Sequence, residues 1–190
     1  MLSSGRGYWL KIAFYLAAYV LPAAAVWSIL GVVLWPVGAI LGVVPLVACG
    51  YALAFGIAET FGLPLRVPSL AWQVPAQWIK GRSPMGQTAM WGALLGPGLV
   101  TRNPYAGMWL LPLLIALNHN LLTAMAIGMA VGAAHGGTRA LGVLSNRRHM
   151  DASCSHLMIL GVQLRWKYRD GLALLLVAGA LAAYSLSLLD

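Results

Sequence analysis

The residues best placed to do chemistry follow a glycine–proline break in an apolar run. Gly96-Pro97-Gly98 interrupts the apolar residues 85–117, and Thr101, Arg102 and Asn103 come soon afterwards. A helix broken inside a membrane leaves N–H and C=O groups that can bind ions, and an intramembrane cation marks a candidate functional site. We therefore predict a substrate-binding site that comprises Gly96, Gly98, Thr101, Arg102 and Asn103.

The role of Arg102 depends on its depth in the membrane. At mid-membrane, its guanidinium would contact an anion or a substrate beside the half-helix ends. Near an interface, it would only extend to the headgroups. The sequence leaves both interpretations open.

Glu59 completes the predicted site, because it is the only acid within an apolar run. Its candidate partners are Arg66 and Arg102, and a proton relay is an alternative role. An interfacial carboxylate without a special role also fits this position.

Other kinds of site find little support. The chain has only four acids, so carboxylate-based enzyme chemistry has little material, and we predict no catalytic residue. His119 and His135 lie about 24 Å apart along a helix, too far to share a metal. Cys49 and Cys154 are isolated, so neither a metal site nor a cofactor is predicted.

The composition indicates an integral membrane protein. Hydrophobic residues make up 61% of the 190 residues and charged residues only 8%, whereas soluble domains carry about 25% charged residues. We predict an all-α, polytopic membrane helix bundle in one domain, with about five transmembrane helices of about 20 residues each. The spans are residues 8–33, 34–61, 85–117 (broken), 121–137 and 171–189, with an interfacial loop at 62–84 and a basic cytoplasmic loop at 139–170.

The net charge of +8 follows the positive-inside pattern. With five spans, all of the twelve Lys and Arg residues except Arg102 fall on one side. This predicts a cytoplasmic N-terminus and an outside C-terminus, in a bacterial inner membrane. The expected partners are the lipid bilayer and anionic headgroups rather than nucleic acid.

Small residues recur every fourth position at Ala124, Gly128, Gly132 and Gly136. This spacing places them on one helix face and predicts close packing against a neighbouring helix. The same face could serve a homodimer or a hetero-complex with another membrane protein.

From about Arg66 onward, the chain resembles the second half of the DsbD/CcdA family of transmembrane thiol-electron carriers. The resemblance rests on Gln73-Val74-Pro75 with Trp78, on residues 92–101 (GALLGPGLVT), and on the helix that carries Gly128 and Gly132. It implies a broken helix with a reactive cysteine. This chain has no cysteine between Cys49 and Cys154, so the resemblance does not extend to the thiol relay.

Two functions from different classes follow. The first is a small-solute or transmembrane carrier with a polar site at the broken third helix. The alternative is a non-catalytic membrane subunit or assembly factor, for which the break would be closed by its own neighbours.

Overall fold

The computed structural model describes residues 5–40, 42–67, 74–99, 105–146 and 156–187. These residues form an all-α protein without strands, which confirms the predicted fold class. The helices are α1 (Gly5–Ile40), α2 (Val44–Phe61), α3 (Pro84–Leu95), α4 (Gly107–Ala116), α5 (Leu121–Asn146) and α6 (His156–Ser187), with a short 3-10 helix at Ala76–Trp78.

Within the described residues, four helices are long and apolar enough to cross a membrane, through the segments Trp9–Gly38, Val44–Phe61, Leu121–Leu141 and Arg165–Ser187. The third apolar run instead forms the two shorter helices α3 and α4. α3 begins where Ser83 Oγ accepts a hydrogen bond from the Gly86 N–H at 3.2 Å, and it ends at Leu95, directly before Gly96-Pro97-Gly98. The predicted break therefore lies where the sequence placed it.

The turn between α1 and α2 comes later than the predicted boundary at residues 33 and 34. α1 continues through Pro22 and Pro36 to Ile40. Each proline removes one backbone donor, but a membrane helix tolerates this loss when neighbouring groups satisfy the freed carbonyl. The sequence predicts that the second helix starts near Trp35-Pro36, whereas α2 begins at Val44 with Pro45 in its first turn.

The predicted basic loop of residues 139–170 is also shorter in the structure. α5 continues to Asn146 and α6 starts at His156. Both helices therefore extend beyond the predicted spans of residues 121–137 and 171–189 into the predicted loop.

The chain divides into two compact units. The first comprises Met1–Gly31, Ser69–Arg102 and Met125–Met150, and the second comprises Val32–Pro68, Asn103–Ala124 and Asp151–Asp190. The prediction of a single transmembrane domain stays a prediction.

Glycines of α5 pack against α1 in the first unit. A Cβ on Gly128, Gly132 or Gly136 would overlap the backbone of Trp27, Ala23 or Tyr19, respectively. The three glycines of α5 are four residues apart, and so are the three residues of α1 that they contact. The two helices therefore approach closely along one face, as small-residue membrane interfaces do. The predicted packing face is therefore filled within the chain, and a homodimer would need another surface.

The second unit is built mainly from α2 and α6. Gly56 of α2 lies against Leu175, and Gly171 of α6 lies against Thr60. α4 packs against both helices. The buried core of this unit is Ala48, Ala52, Ala106, Leu110, Leu174, Ala178 and Leu181.

Candidate functional site

The start of the break is closed by α1. Trp27 is fully buried, and its indole Nε1–H donates to the Pro97 carbonyl oxygen at 2.9 Å. A carbonyl freed at a break has no water to bind inside a bilayer, so a side-chain donor is needed to satisfy it. Trp27 was not among the predicted site residues, and only a contact between distant segments identifies it.

Gly96 and Gly98 are buried and closely packed. A Cβ on Gly96 would overlap the Tyr19 carbonyl, and one on Gly98 would overlap the imidazole of His135. Gly98 also has φ +74, a conformation that glycine adopts readily and other residues rarely. The structure thus gives these two glycines a packing role, and their role in binding substrate stays a prediction.

His135 and Arg139 stand beside this closed break. Arg139 Nε–H donates to His135 Nε2 at 3.2 Å, and both side chains are half-buried. Tyr19 lies near Arg139 and contacts the hydroxyl of Tyr15 at 3.3 Å. The sequence alone predicts that Arg139 lies in the basic loop. The four-residue spacing from His135, which places both on one helix face, is the signal that could have found this pair.

Three of the predicted site residues, Thr101, Arg102 and Asn103, lie outside the described residues. Their proposed contact with a substrate stays a prediction.

Two acids meet at the other end of the break, where α4 begins. Glu59 Oε1 accepts a hydrogen bond from the Ala106 N–H at 3.1 Å, and Asp170 Oδ2 accepts one from the Gly107 N–H at 2.9 Å. Ala106 occupies the N-cap position and has no capping side chain of its own. Because the first N–H groups of a helix lack partners and favour negative charge, α2 and α6 together supply the cap.

Glu59 and Asp170 also interact directly through their side chains. Glu59 Oε2 is buried and has no hydrogen-bond partner among the described residues. Two ionised carboxylates this close repel each other, whereas one proton shared between them gives Oε2 a partner. The arrangement can therefore hold and release a proton.

Of the two cations expected to pair with Glu59, the structure describes only Arg66. Arg66 is not among its contacts in the described residues, and Arg102 lies outside them. Lys167 is the nearby cation. From the sequence, Asp170 is predicted to lie in a basic loop and is not a candidate site residue. In the structure it lies in α6 and contacts the start of α4.

A pocket of about 140 Å³ lies beside Glu59. Glu59 and Lys167 are its charged lining residues. Its other lining residues are Phe55, Ala58, Gly62, Leu63, Leu65 and Val67. The pocket places Glu59 beside a space large enough to hold water.

Two tyrosines surround the start of α4. The Tyr51 hydroxyl donates to the Ala106 carbonyl oxygen at 3.1 Å. Tyr105 precedes the helix, and its pKa is raised above the usual value by burial and, secondarily, by the negative charges of Asp170 and Glu59.

The pKa of Tyr105 responds to the negative charges of Asp170 and Glu59, so a titration of Tyr105 reports them. Asp170→Asn should lower the pKa of Tyr105, because it removes one of the charges that oppose tyrosinate. The titration is followed by near-ultraviolet absorbance in detergent, with Tyr105→Phe identifying the signal of this residue. The neutral Tyr105 phenol stabilises the folded protein fully below the pKa of an unfolded tyrosine, about 10. This stabilisation is lost as the pH rises through the higher pKa of Tyr105 in the folded protein. An unchanged pKa in Asp170→Asn would contradict the placement of Asp170.

The described part of the chain contains no assembled site for thiol or metal chemistry. Cys49 is a free thiol whose Sγ–H points to the Ala178 carbonyl oxygen at 3.5 Å, and Cys154 lies outside the described residues. Within those residues, no three His, Cys, Asp or Glu side chains come together as a metal site requires.

No family model, curated protein or solved structure matches this chain. The resemblance to the DsbD/CcdA family therefore stays a prediction.

Proposed function

We propose that this membrane protein is a carrier whose transported species include the proton, with Glu59 and Asp170 as its proton-binding pair. The observation that carries the proposal is the meeting of these two acids on consecutive N–H groups at the start of α4. They are two of only four acids in the chain. Each acid lies near one end of a helix that is long and apolar enough to cross a membrane, and carboxyl groups in such helices commonly form proton paths.

The chemistry of the pair supports proton exchange. The second half of a broken helix offers its N-terminal N–H groups, which stabilise the ionised form. The neighbouring carboxylate opposes a second negative charge, so it favours the protonated form. The pair can therefore accept one proton, and we infer that the proton reaches Glu59 through the pocket beside it.

Proton flux into vesicles tests this function. The full-length protein is reconstituted into liposomes that contain a pH-sensitive dye, and a potassium gradient with valinomycin drives protons inward. We expect the wild-type protein to acidify the vesicles at least about tenfold faster than Glu59→Gln or Asp170→Asn, as expected when a required proton-transfer group is removed.

Asp190→Asn is the matched control, since it makes the same chemical change at an acid outside the pair. It should keep the wild-type rate. Equal rates in wild-type protein, Glu59→Gln and protein-free vesicles would refute the proposal.

A non-catalytic membrane subunit or assembly factor is the second candidate function. It is favoured by the closed start of the break, where Trp27 binds the Pro97 carbonyl and His135 packs on Gly98. A break closed by its own neighbours is what this function predicts. Wild-type vesicles without proton flux would favour it over the carrier.

A further inference from the structure

The first turns of the apolar segment in α6 have two different faces. Lys167 and Asp170 are half-buried, and Gly171 is buried. Arg165, Trp166, Tyr168 and Arg169 are exposed. At about 100° per residue, the exposed four share one side of the helix and Lys167 lies on the opposite side. We call the exposed four the basic aromatic face.

The side chains of this face suit the interface between membrane and water. The guanidinium carbon of Arg169 lies over the Trp166 ring, 5.3 Å from its centroid. Such cation–π contact fixes the cation beside an amphipathic ring, and tryptophan and tyrosine concentrate at the headgroup level of membranes. The only acid in the described part of α6 is Asp170, which faces α4 and binds the Gly107 N–H. The face therefore presents positive charge without a competing carboxylate of its own helix.

The same side of α6 continues as an apolar stripe. Leu172 and Leu176 follow at helical spacing, and they are 40% and 77% exposed. The helix from Leu172 to Ser187 rises about 24 Å, close to the hydrocarbon thickness of about 30 Å. When this stripe lies among acyl chains, Arg165 and Arg169 lie at the level of the lipid phosphates.

We infer that the basic aromatic face binds anionic phospholipid, with Arg165 and Arg169 on the headgroup, the Trp166 and Tyr168 rings at the interface, and the acyl chains along Leu172 and Leu176. Charge complementarity and the continuous apolar stripe carry this assignment. It does not depend on the proposed proton pair, because Glu59 and Asp170 lie off this face. Two surface arginines should enrich anionic lipid locally on the order of tenfold.

Quenching of Trp166 fluorescence by brominated lipid tests the inference. The full-length protein is placed in lipid discs that contain brominated phosphatidylglycerol or, at the same mole fraction, brominated phosphatidylcholine. Subtracting the signal of Trp166→Phe isolates Trp166 from the other seven of the eight tryptophans. We expect stronger quenching by phosphatidylglycerol at low ionic strength, and a smaller excess at high salt.

The double variant Arg165→Gln/Arg169→Gln should reduce quenching by phosphatidylglycerol to the phosphatidylcholine level. The matched control Lys11→Gln/Lys80→Gln removes the same total charge from two other exposed cations, and it should keep the excess. Equal quenching by the two lipids in the wild-type protein would overturn the inference. So would an excess that survives in the Arg165/Arg169 variant. The salt dependence requires only the wild-type protein and Trp166→Phe, so it decides the question even if the double variant folds poorly.

Discussion

Gly132→Ala should destabilise the protein by about 3 kcal/mol. The added methyl group would overlap the Ala23 carbonyl and force α1 and α5 apart. Overfilling a close-packed contact costs about 1–3 kcal/mol and occasionally more, and here the obstructing atom belongs to the backbone and has no other rotamer to adopt. The free energy of unfolding is measured in detergent from intrinsic fluorescence.

Gly179→Ala is the control for this variant. Gly179 lies in α6, and a Cβ there would meet no atom within 4 Å. This variant should be as stable as the wild type or slightly more stable, because alanine lowers the entropy of the unfolded chain. A Gly132→Ala protein that unfolds at the wild-type midpoint would show that α1 and α5 do not pack as described.

Trp27→Ala should have a comparable or larger effect, about 3–5 kcal/mol, because it empties the space of a fully buried indole. It also leaves the Pro97 carbonyl oxygen without its donor. Trp27→Phe separates the two contributions. The ring is largely kept, so the remaining loss of about 1–3 kcal/mol reports the unsatisfied carbonyl.

Trp91→Phe is the matched control, since Trp91 lies in α3 but is 37% exposed. It should change the unfolding free energy by less than about 0.5 kcal/mol. If Trp27→Phe is equally neutral, the indole does not hold the break closed.

The helices follow directly from local sequence, whereas their boundaries depend partly on tertiary contacts. Long apolar runs require helices in a membrane, and Gly96-Pro97-Gly98 removes a donor where α3 must end. Pro36 carries the same local signal, yet α1 continues through it to Ile40. Local propensity alone does not distinguish these two prolines.

The acid pair is harder to read from the sequence because its members are far apart along the chain. Glu59 attracted attention as an acid in an apolar run, but Asp170 follows Arg165, Lys167 and Arg169 and reads as part of a basic loop. Helical spacing turns Asp170 away from Arg165 and Arg169. Its approach to Glu59 then requires that α6 pack against α2, and a single sequence does not specify that packing.

Glu59 and Asp170, which cap α4, are distant from it in the sequence. The cap therefore constrains the order in which the helices assemble in the membrane. α4 has 10 residues and rises only about 15 Å, which is about half of a hydrocarbon core. The acceptor for its Gly107 N–H, Asp170, is synthesised 63 residues later. A ribosome therefore releases α4 before its cap is complete, and the half-helix reaches its final hydrogen-bonded state only after α6 has entered the bilayer. α6 thus completes the third apolar run.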